Sequence, residues 1–255
     1  MDSSASSVST VGAKARLRNV TATARGPFDQ FHDAVTTFEA VVGEQDEYTP
    51  EHYDTDYFAA DWREGDNRYE LETRRRIEAK NPELIKDVFA PERVLDVGCG
   101  PGFLMFFLSE LGVDVHGTDF APASLTLAPD AMRDRIAIAP TDRLPHEDAS
   151  FDLVICREVM EHLTVLQVRR TVAEICRVSS RFAYVTTRFH PAPQTLLDVT
   201  TDFETDPTHV TLLAKDFLRT LFVLEGFRSR ADLEARMDWG GKGRVLVYER
   251  GASPA

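Results

Sequence analysis

An acid followed by a glycine-rich turn is the first feature of the chain that could do chemistry. Asp96 stands two residues before Gly98, and three glycines occur between residues 98 and 102. Glycine is needed where a ligand approaches the backbone closely and where the chain turns with a positive φ. The turn joins an apolar strand to a helical pattern, so the unpaired N–H groups of the new helix face whatever the turn holds. This arrangement predicts a site for a nucleotide-like ligand.

Two further acids follow predicted strands. Asp119 ends the apolar segment 113–119, and Asp142 follows the segment 136–139. A carboxylate at the end of the second strand can accept bonds from both hydroxyls of a ribose. Asp142 is placed to receive the exocyclic amine of an adenine. The alternative for each acid is a turn or a helix cap.

The elements that position these acids alternate between strand and helix from residue 93 onward. Such alternation is typical of an α/β fold with a doubly wound, Rossmann-like parallel sheet. Ligands in these sheets bind beyond the carboxyl ends of the strands. The predicted strands are 94–97, 113–119, 136–139, 151–156, 182–187, 228–236 and 243–248, with helices at 103–111, 123–128, 166–178 and 215–224.

Composition narrows the class of protein. The 255 residues have a formal net charge of −13, which disfavours a nucleic-acid partner because that requires a basic surface. No apolar run is long enough for a membrane span, so no membrane partner is expected. Three scattered cysteines suggest neither a disulfide framework nor a metal site, and they favour a reducing, cytoplasmic setting.

The part before the sheet divides into two segments. Residues 1–27, rich in Ser, Ala and Thr, predict a disordered tail, and a transit peptide is the alternative. Residues 28–91 predict a helical lid, with helices at 28–42, 68–80 and 82–89 and an acidic, aromatic stretch between 44 and 66. Tyr57 and Trp62 in that stretch are candidates for contact with substrate, and the alternative is that these rings pack on the neighbouring domain.

Together these motifs resemble the class I S-adenosylmethionine-dependent methyltransferases. The similarity covers residues 84–248 and rests on the sequence VLDVGCGPG at 94–102, on Asp119, and on FDLV at 151–154 with VMEHL at 159–163. It implies S-adenosylmethionine as the cofactor and a seven-stranded sheet of order 3-2-1-4-5-7-6, in which the two late strands form a hairpin. A dinucleotide dehydrogenase is disfavoured because its glycines are spaced differently and lack the preceding acid.

The resemblance also implies roles for individual residues. Asp96 and Gly98 would hold the amino-acid part of the cofactor, with Cys99, Gly100 and Gly102 completing the turn. The residues implied around the rest of the cofactor are Asp119 at the ribose, Phe120, Asp142 and Arg143 at the adenine, and Glu158 and Val159 at the sulfur.

Transfer of the sulfonium methyl group requires an aligned acceptor, and a hydroxyl acceptor also requires a general base. His162, His190 and His209 compete for that role, and Glu161 is a further candidate for contact with substrate. His209 belongs to an acidic insertion, predicted at 188–212, whose length suggests a function at the acceptor site. The expected substrate is a small polar metabolite, such as an amino sugar or another natural-product intermediate, methylated on oxygen or nitrogen.

Two other classes of function remain open. One is a protein that binds the cofactor as a non-catalytic scaffold. The other is a methyltransferase that acts on a macromolecule. The sequence CREV at 156–159 stands where methyltransferases of planar amines carry an Asn-Pro-Pro-Tyr-type element, which disfavours nucleobase or protein-amide substrates.

Overall fold

The computed structural model describes residues 27–59, 70–200, 206 and 208–251, with the backbone alone for 27–34 and 59. The predicted tail therefore lies outside the described residues, apart from residue 27. Trp62 and the acidic residues 202 and 204 of the insertion also lie outside them.

A seven-stranded sheet forms the centre of the described chain, and a separate two-stranded ribbon lies in the insertion. The order in the large sheet is β3-β2-β1-β4-β5-β9-β8. Without the ribbon strands β6 and β7, this is the predicted order. The strands are β1 (Arg93–Val97), β2 (Asp114–Asp119), β3 (Ile136–Ile138), β4 (Phe151–Arg157), β5 (Ser179–Thr186), β6 (Val199–Thr200), β7 (Leu212–Leu213), β8 (Phe227–Ser229) and β9 (Val245–Arg250).

Helices cover both faces of the sheet and precede it. They are α1 (Pro27–Glu44), α2 (Thr55–Ala59), α3 (Leu71–Glu78), α4 (Asn81–Phe89), α5 (Phe103–Glu110), α6 (Ala123–Leu127), α7 (Asp130–Arg133), α8 (Val165–Val178), α9 (Lys215–Leu224) and α10 (Ala231–Met237). Among the described helices, none combines the length and the apolar character that a membrane span requires.

The order of the strands places the candidate site. β1 pairs in parallel with β2 on one side and with β4 on the other, so the chain reverses direction across the sheet between β1 and β4. A crevice opens at the carboxyl ends of the strands at such a point. The sheet is held there by two apolar clusters that contain the fully buried Leu95 and Ile155, one on each face. The predicted α/β, Rossmann-like fold is confirmed.

Three predicted elements differ from the structure. The predicted strand 228–236 is wrong beyond Ser229, because Ala231–Met237 forms α10 with Leu233 and Met237 buried against the sheet. The predicted insertion contains β6 and β7, which pair with each other. His162 does not open the helix after β4. It ends a 3-10 turn, and α8 begins at Val165, where the Thr164 side chain accepts a bond from the N–H of Gln167.

Candidate functional site

A cavity of about 310 Å³ lies at the carboxyl ends of β1, β2 and β4 and is covered by residues 48–58. Most of the residues predicted for the site line this cavity. They are Asp96, Gly98, Cys99, Gly100, Asp119, Phe120, Asp142, Glu158 and Val159 from the predicted cofactor set, and Tyr57, Glu161, His162 and His209 from the predicted substrate and catalytic sets.

The glycine turn is shaped by close packing. Gly98 has φ of 71°, and a Cβ there would collide with the side chain of Val159, which follows β4. Gly100 has φ of 52° and faces the ring of Phe58, whose nearest atom would lie 3.6 Å from an added Cβ. A side chain at either position would therefore strain the backbone, and at Gly98 it would also displace the wall of the cavity. The turn leaves its backbone open to a ligand.

Asp119 ties this turn to the neighbouring strand. Its Oδ2 accepts a bond of 2.8 Å from Gly100 N, and its Oδ1 accepts one of 2.9 Å from Ala121 N. Burial raises the pKa of Asp119, and the backbone N–H donors oppose that rise. Each carboxylate oxygen has a second acceptor position, so the group can still receive hydroxyl donors from a ligand.

Asp96 lies buried beside a network of ions. Only 4% of its surface is exposed, and this burial raises its pKa to about 7. Arg157 lowers the pKa of Asp96, whereas Glu78 raises it. An ammonium group in the cavity would stabilise the ionised carboxylate that burial disfavours.

The ion pairs around Glu78 could not be predicted from the sequence. Glu78 Oε1 pairs with Arg74 at 2.5 Å and Oε2 pairs with Arg157 at 2.8 Å, although 79 residues separate Glu78 from Arg157. Burial raises the pKa of Glu78, but the two guanidinium groups outweigh it and hold the pKa at about 2. Arg74 and Arg157 also line the cavity next to Asp96. The only signal in the sequence is Arg157 itself, a charged residue at the end of a buried strand.

Aromatic rings from the N-terminal segment cover the turn. The ring of Tyr53 lies 5.2 Å from that of Phe120 and 4.8 Å from that of Tyr57, measured between centroids. Tyr53 and Phe58 are buried against Ala121 in a cluster of their own. Rings of this segment, for which a lid was predicted, therefore line the Asp119 side of the cavity. Tyr57 lies in this cover.

His162 lies in the wall next to this cover, with its ring centroid 5.9 Å from that of Tyr53. Its Nδ1 lies 2.8 Å from Thr208 Oγ1, and the Thr208 hydroxyl donates to Asp206 Oδ1 at 2.7 Å. Because the hydroxyl hydrogen is directed to Asp206, Thr208 accepts the hydrogen of Nδ1, which leaves the lone pair of His162 on Nε2. Burial and the neighbouring His209 lower the pKa of His162, so its imidazole is neutral.

His209 and Glu161 complete this wall. The His209 ring packs edge to face on His162 with a centroid separation of 4.6 Å, and its Nε2 lies 3.7 Å from Asp206 Oδ2. Glu161 is fully buried, and its Oε2 accepts a bond of 2.7 Å from Thr187. Within the described residues Glu161 Oε1 has no hydrogen-bond partner. Burial and the nearby Glu158 raise the pKa of Glu161 to about 8.

Other predicted residues lie elsewhere or have another partner. Gly102 is the N-cap of α5 and does not line the cavity, and a Cβ added there would meet Ile136 and Met105. His190 and the exposed Arg143 do not line the cavity. His190 instead accepts the N–H of Ala192. Asp142 lines the rim of the cavity and forms a 2.7 Å ion pair with Arg170.

Known proteins match a part of the chain that contributes most of the residues lining this cavity. Residues 95–184 match the family described as Methyltransferase domain. The ubiquinone biosynthesis O-methyltransferase of Bordetella avium (strain 197N) is 38% identical over 77 residues, which are 28% of this chain and 32% of that protein. The enzyme of the same name from Acinetobacter baylyi is 38% identical over 81 residues, or 29% of this chain and 34% of that protein. The match thus spans about a third of the length of these relatives.

Solved structures share the fold over a longer part of the chain. An S-adenosylmethionine-dependent methyltransferase from Archaeoglobus fulgidus has a TM-score of 0.53 at 17% identity, covering 69% of this chain and 94% of its own. A putative methyltransferase from Bacillus halodurans C-125 has a TM-score of 0.51 at 15% identity, covering 68% of this chain and 100% of its own. The [4+2]-cyclase SpnF has a TM-score of 0.53 at 16% identity, covering 88% of this chain and 96% of its own. At these identities the likeness is one of fold.

Proposed function

We propose that this chain is a class I S-adenosylmethionine-dependent methyltransferase and that it transfers a methyl group to a hydroxyl oxygen of a small polar molecule. The match of residues 95–184 and the relatives named above support the predicted family and its cofactor. The acceptor is our inference, and it follows from the charges and hydrogen bonds of the cavity.

The charge of the cavity supports a cationic cofactor. Among the described residues, seven carboxyl groups line it against the three guanidinium groups of Arg74, Arg157 and Arg188. Two of those guanidinium groups pair with the buried Glu78. An excess of buried carboxylates costs free energy unless a cation enters. S-adenosylmethionine carries an ammonium group and a sulfonium group, so its cationic centres suit this surface.

The residues of the turn fit the cofactor as well. Asp96 is placed for the ammonium group, and Arg74 lines the cavity beside it for a carboxylate. Asp119 retains acceptor positions for the ribose hydroxyls, and Phe120 presents a ring for the adenine. The positive φ at Gly98 and Gly100 keeps this side of the turn free of side chains.

When bound, S-adenosylmethionine supplies an electrophilic methyl group on a cationic sulfur. The covering segment around Tyr53 excludes water, and the Thr208 contact holds His162 with its Nε2 lone pair available to accept the hydroxyl proton. Alignment in a closed cavity contributes roughly 7–11 kcal/mol to such transfers, and a positioned base adds about 10²–10⁴-fold.

An oxygen acceptor is favoured over an amine by the hydrogen bonds of this wall. A hydroxyl must lose a proton, and His162 is held in the tautomer that can accept one. The relatives from Bordetella avium and Acinetobacter baylyi are O-methyltransferases by name, which supports the same choice of acceptor. The acidic wall of Glu158, Glu161 and Asp206 supports an amine-bearing substrate, such as an amino sugar, whose hydroxyl is methylated while its ammonium group is bound.

The test is an assay of S-adenosylhomocysteine formation with matched acceptor pairs, each pair sharing one scaffold with a hydroxyl or an amine at the same position. We expect turnover of the hydroxyl member and a loss of about 10²–10⁴-fold in kcat for His162→Ala. Turnover confined to the amine members would contradict the proposal.

The three free thiols of Cys99, Cys156 and Cys176 support a reducing, cytoplasmic setting for this reaction.

A further inference from the structure

We propose that His162, Asp206 and His209 form a binding site for one divalent transition-metal ion at the acceptor end of the cavity. This inference rests on the proposed function, since it assigns the ion to the wall that faces the methyl acceptor. The two histidines flank Asp206 in space although one follows β4 and the other lies in the insertion before β7. All three line the cavity.

The spacing of the donor atoms fits one ion. A ring nitrogen from each histidine and a carboxylate oxygen of Asp206 all lie within 4.8 Å of one another. Two ligands bonded at about 2.1 Å to one tetrahedral ion lie about 3.4 Å apart. His209 Nε2 and Asp206 Oδ2 come close to this spacing at 3.7 Å. The other ligand atoms, which lie within 4.8 Å of one another, have to approach by at most about 1.4 Å when the ion binds.

The surroundings hold these ligands in place. Thr208 contacts both His162 Nδ1 and Asp206 Oδ1, and the backbone N–H of Thr208 also donates to Asp206 Oδ1 at 2.9 Å. Outer hydrogen bonds of this kind orient metal-binding histidines and carboxylates. The backbone carbonyl of Glu161 accepts the N–H groups of Val210 and Thr211, which anchors the segment bearing His209 beside His162.

The donor set indicates the class of ion. Two imidazoles and one carboxylate suit Zn²⁺, Mn²⁺, Fe²⁺ or Co²⁺ rather than Ca²⁺ or Mg²⁺, which prefer oxygen ligands. Three protein ligands leave open positions on the ion for another ligand, and all three residues line the cavity. In the metal-loaded protein His162 is a ligand, and the ion takes over the activation of the acceptor hydroxyl.

The chemistry needs no additional reactant. A hydroxyl bound to the ion loses its proton to solvent at a lower pH than a free hydroxyl does. The resulting oxygen then forms the new bond to the methyl carbon while the bond between that carbon and sulfur breaks. No electron donor or acceptor takes part. The buried carboxyl group of Glu161, with Oε1 unpartnered among the described residues, lies on the same wall.

The experiment is titration of the untagged full chain, treated first with a chelator, with Co²⁺ as the probe. Binding is followed by the visible d–d absorption of the ion and by equilibrium dialysis. We expect one Co²⁺ per chain, with displacement by Zn²⁺. His209→Ala and Asp206→Asn each remove a ligand. Loss of only a hydrogen bond to a metal ligand lowers metal affinity by about 10–100-fold, so each of these variants is expected to lower Co²⁺ affinity by at least that factor.

The matched control is His116→Ala. His116 also lies beside an aspartate, with 3.4 Å between its Nε2 and Asp114 Oδ1, but this pair is outside the cavity. The control is expected to bind Co²⁺ as the unaltered chain does. Absence of Co²⁺ binding, or equal binding by the His209→Ala variant, would overturn the metal site.

The same preparations separate this inference from the proposed function. Methyl transfer to a hydroxyl that is unchanged by chelation overturns the metal proposal and leaves the proposed function standing. Stoichiometric Co²⁺ binding that is lost in His209→Ala, without transfer to any hydroxyl, supports the site and counts against the proposed function instead.

Discussion

Gly100 donates its backbone N–H to Asp119 Oδ2 at 2.8 Å, which fastens the middle of the glycine turn to the end of β2. The acid that is expected to hold the ribose is therefore also the acid that shapes the turn. Both functions come from one carboxylate with four acceptor positions, two of which are taken by backbone donors.

Replacement of Asp119 by Ala is expected to weaken binding of both adenosine and S-adenosylhomocysteine. The variant loses the bonds to Gly100 and Ala121 as well as those to the ligand, so affinity alone does not separate the two effects. Binding of adenosine and of 2′,3′-dideoxyadenosine is therefore measured by calorimetry for both proteins. In the unaltered chain, removal of the hydroxyls should cost about 1.5–3 kcal/mol for bonds to a charged group. In Asp119→Ala the two nucleosides should bind alike, and a difference that persists would refute the ribose assignment.

Binding of the cofactor should release a proton from Asp96 near neutral pH. Its pKa is about 7 because burial disfavours the charged form. An ammonium group beside it would favour ionisation, so cofactor affinity should rise with pH up to about 7 and then level off. Calorimetry at about pH 6, in two buffers of different ionisation enthalpy, measures the released protons. Asp96→Asn should abolish the release, and a release of equal size in this variant would exclude Asp96 as its source.

The same group should destabilise the ligand-free protein. The pKa of Asp96 is raised above its ordinary value of 3.8. Its burial therefore costs no stability below about pH 3.8, and the free energy of unfolding falls as pH rises through about 7. We therefore expect Asp96→Asn to melt at a higher temperature than the unaltered chain above pH 7, and at a similar temperature under acidic conditions. A lower melting temperature above pH 7 would contradict the burial argument.

The motifs that fix the cofactor side were predictable because they are local in the sequence. The glycine turn, Asp119 and the strand before Glu158 are each set by a few neighbouring residues, and the helix Lys215–Leu224 follows directly from its apolar spacing. The first late strand was predicted too long because 231–237 is apolar at positions that also suit a helix, and only packing of Leu233 against the sheet decides between them.

The acceptor side depends on contacts between distant segments. Glu78 meets Arg157 across 79 residues, and His162 meets Thr208 across 46. No periodicity or short motif encodes such pairs, since they form only when the sheet brings the ends of the chain segments together. The sequence therefore favoured His190 and His209 over His162 without choosing one, whereas the structure places His162 and His209 in the cavity and His190 outside it.

Glu78 should contribute more to stability than an exposed acid that pairs with the same helix. Glu78→Gln leaves Arg157 buried with a weaker partner, and breaking a buried ion pair costs about 3–5 kcal/mol. Glu110→Gln is the matched control, since Glu110 pairs with Arg75 of the same helix at 2.9 Å but both side chains are largely exposed. Exposed pairs contribute little, so no measurable change is expected there. Urea unfolding tests both variants, and equal effects would contradict a structural role for the buried network.

Acid should weaken this network in a defined range. The pKa of Glu78 is held at about 2, below its ordinary value of 4.5, so its contribution is present above about pH 4.5 and is lost as pH falls towards 2. The free energy of unfolding of the unaltered chain should therefore fall more steeply in this range than that of Glu78→Gln. Parallel slopes would show that other carboxyl groups dominate acid unfolding.

Thr208 should act as a positioning residue through His162 and Asp206. Thr208→Val keeps the shape of the side chain but removes both of its hydroxyl bonds, so the His162 ring loses the contact that fixes its tautomer. We expect the affinity for Co²⁺ to fall by about 10–100-fold and kcat for hydroxyl acceptors to fall as well. The dissociation constant of S-adenosylhomocysteine should not change, because Thr208 does not line the cavity itself. Thr208→Ser should restore Co²⁺ affinity and kcat, since it returns the hydroxyl. Failure of Ser to restore them, or an equal loss of S-adenosylhomocysteine binding in the Val variant, would instead assign Thr208 a role in packing alone.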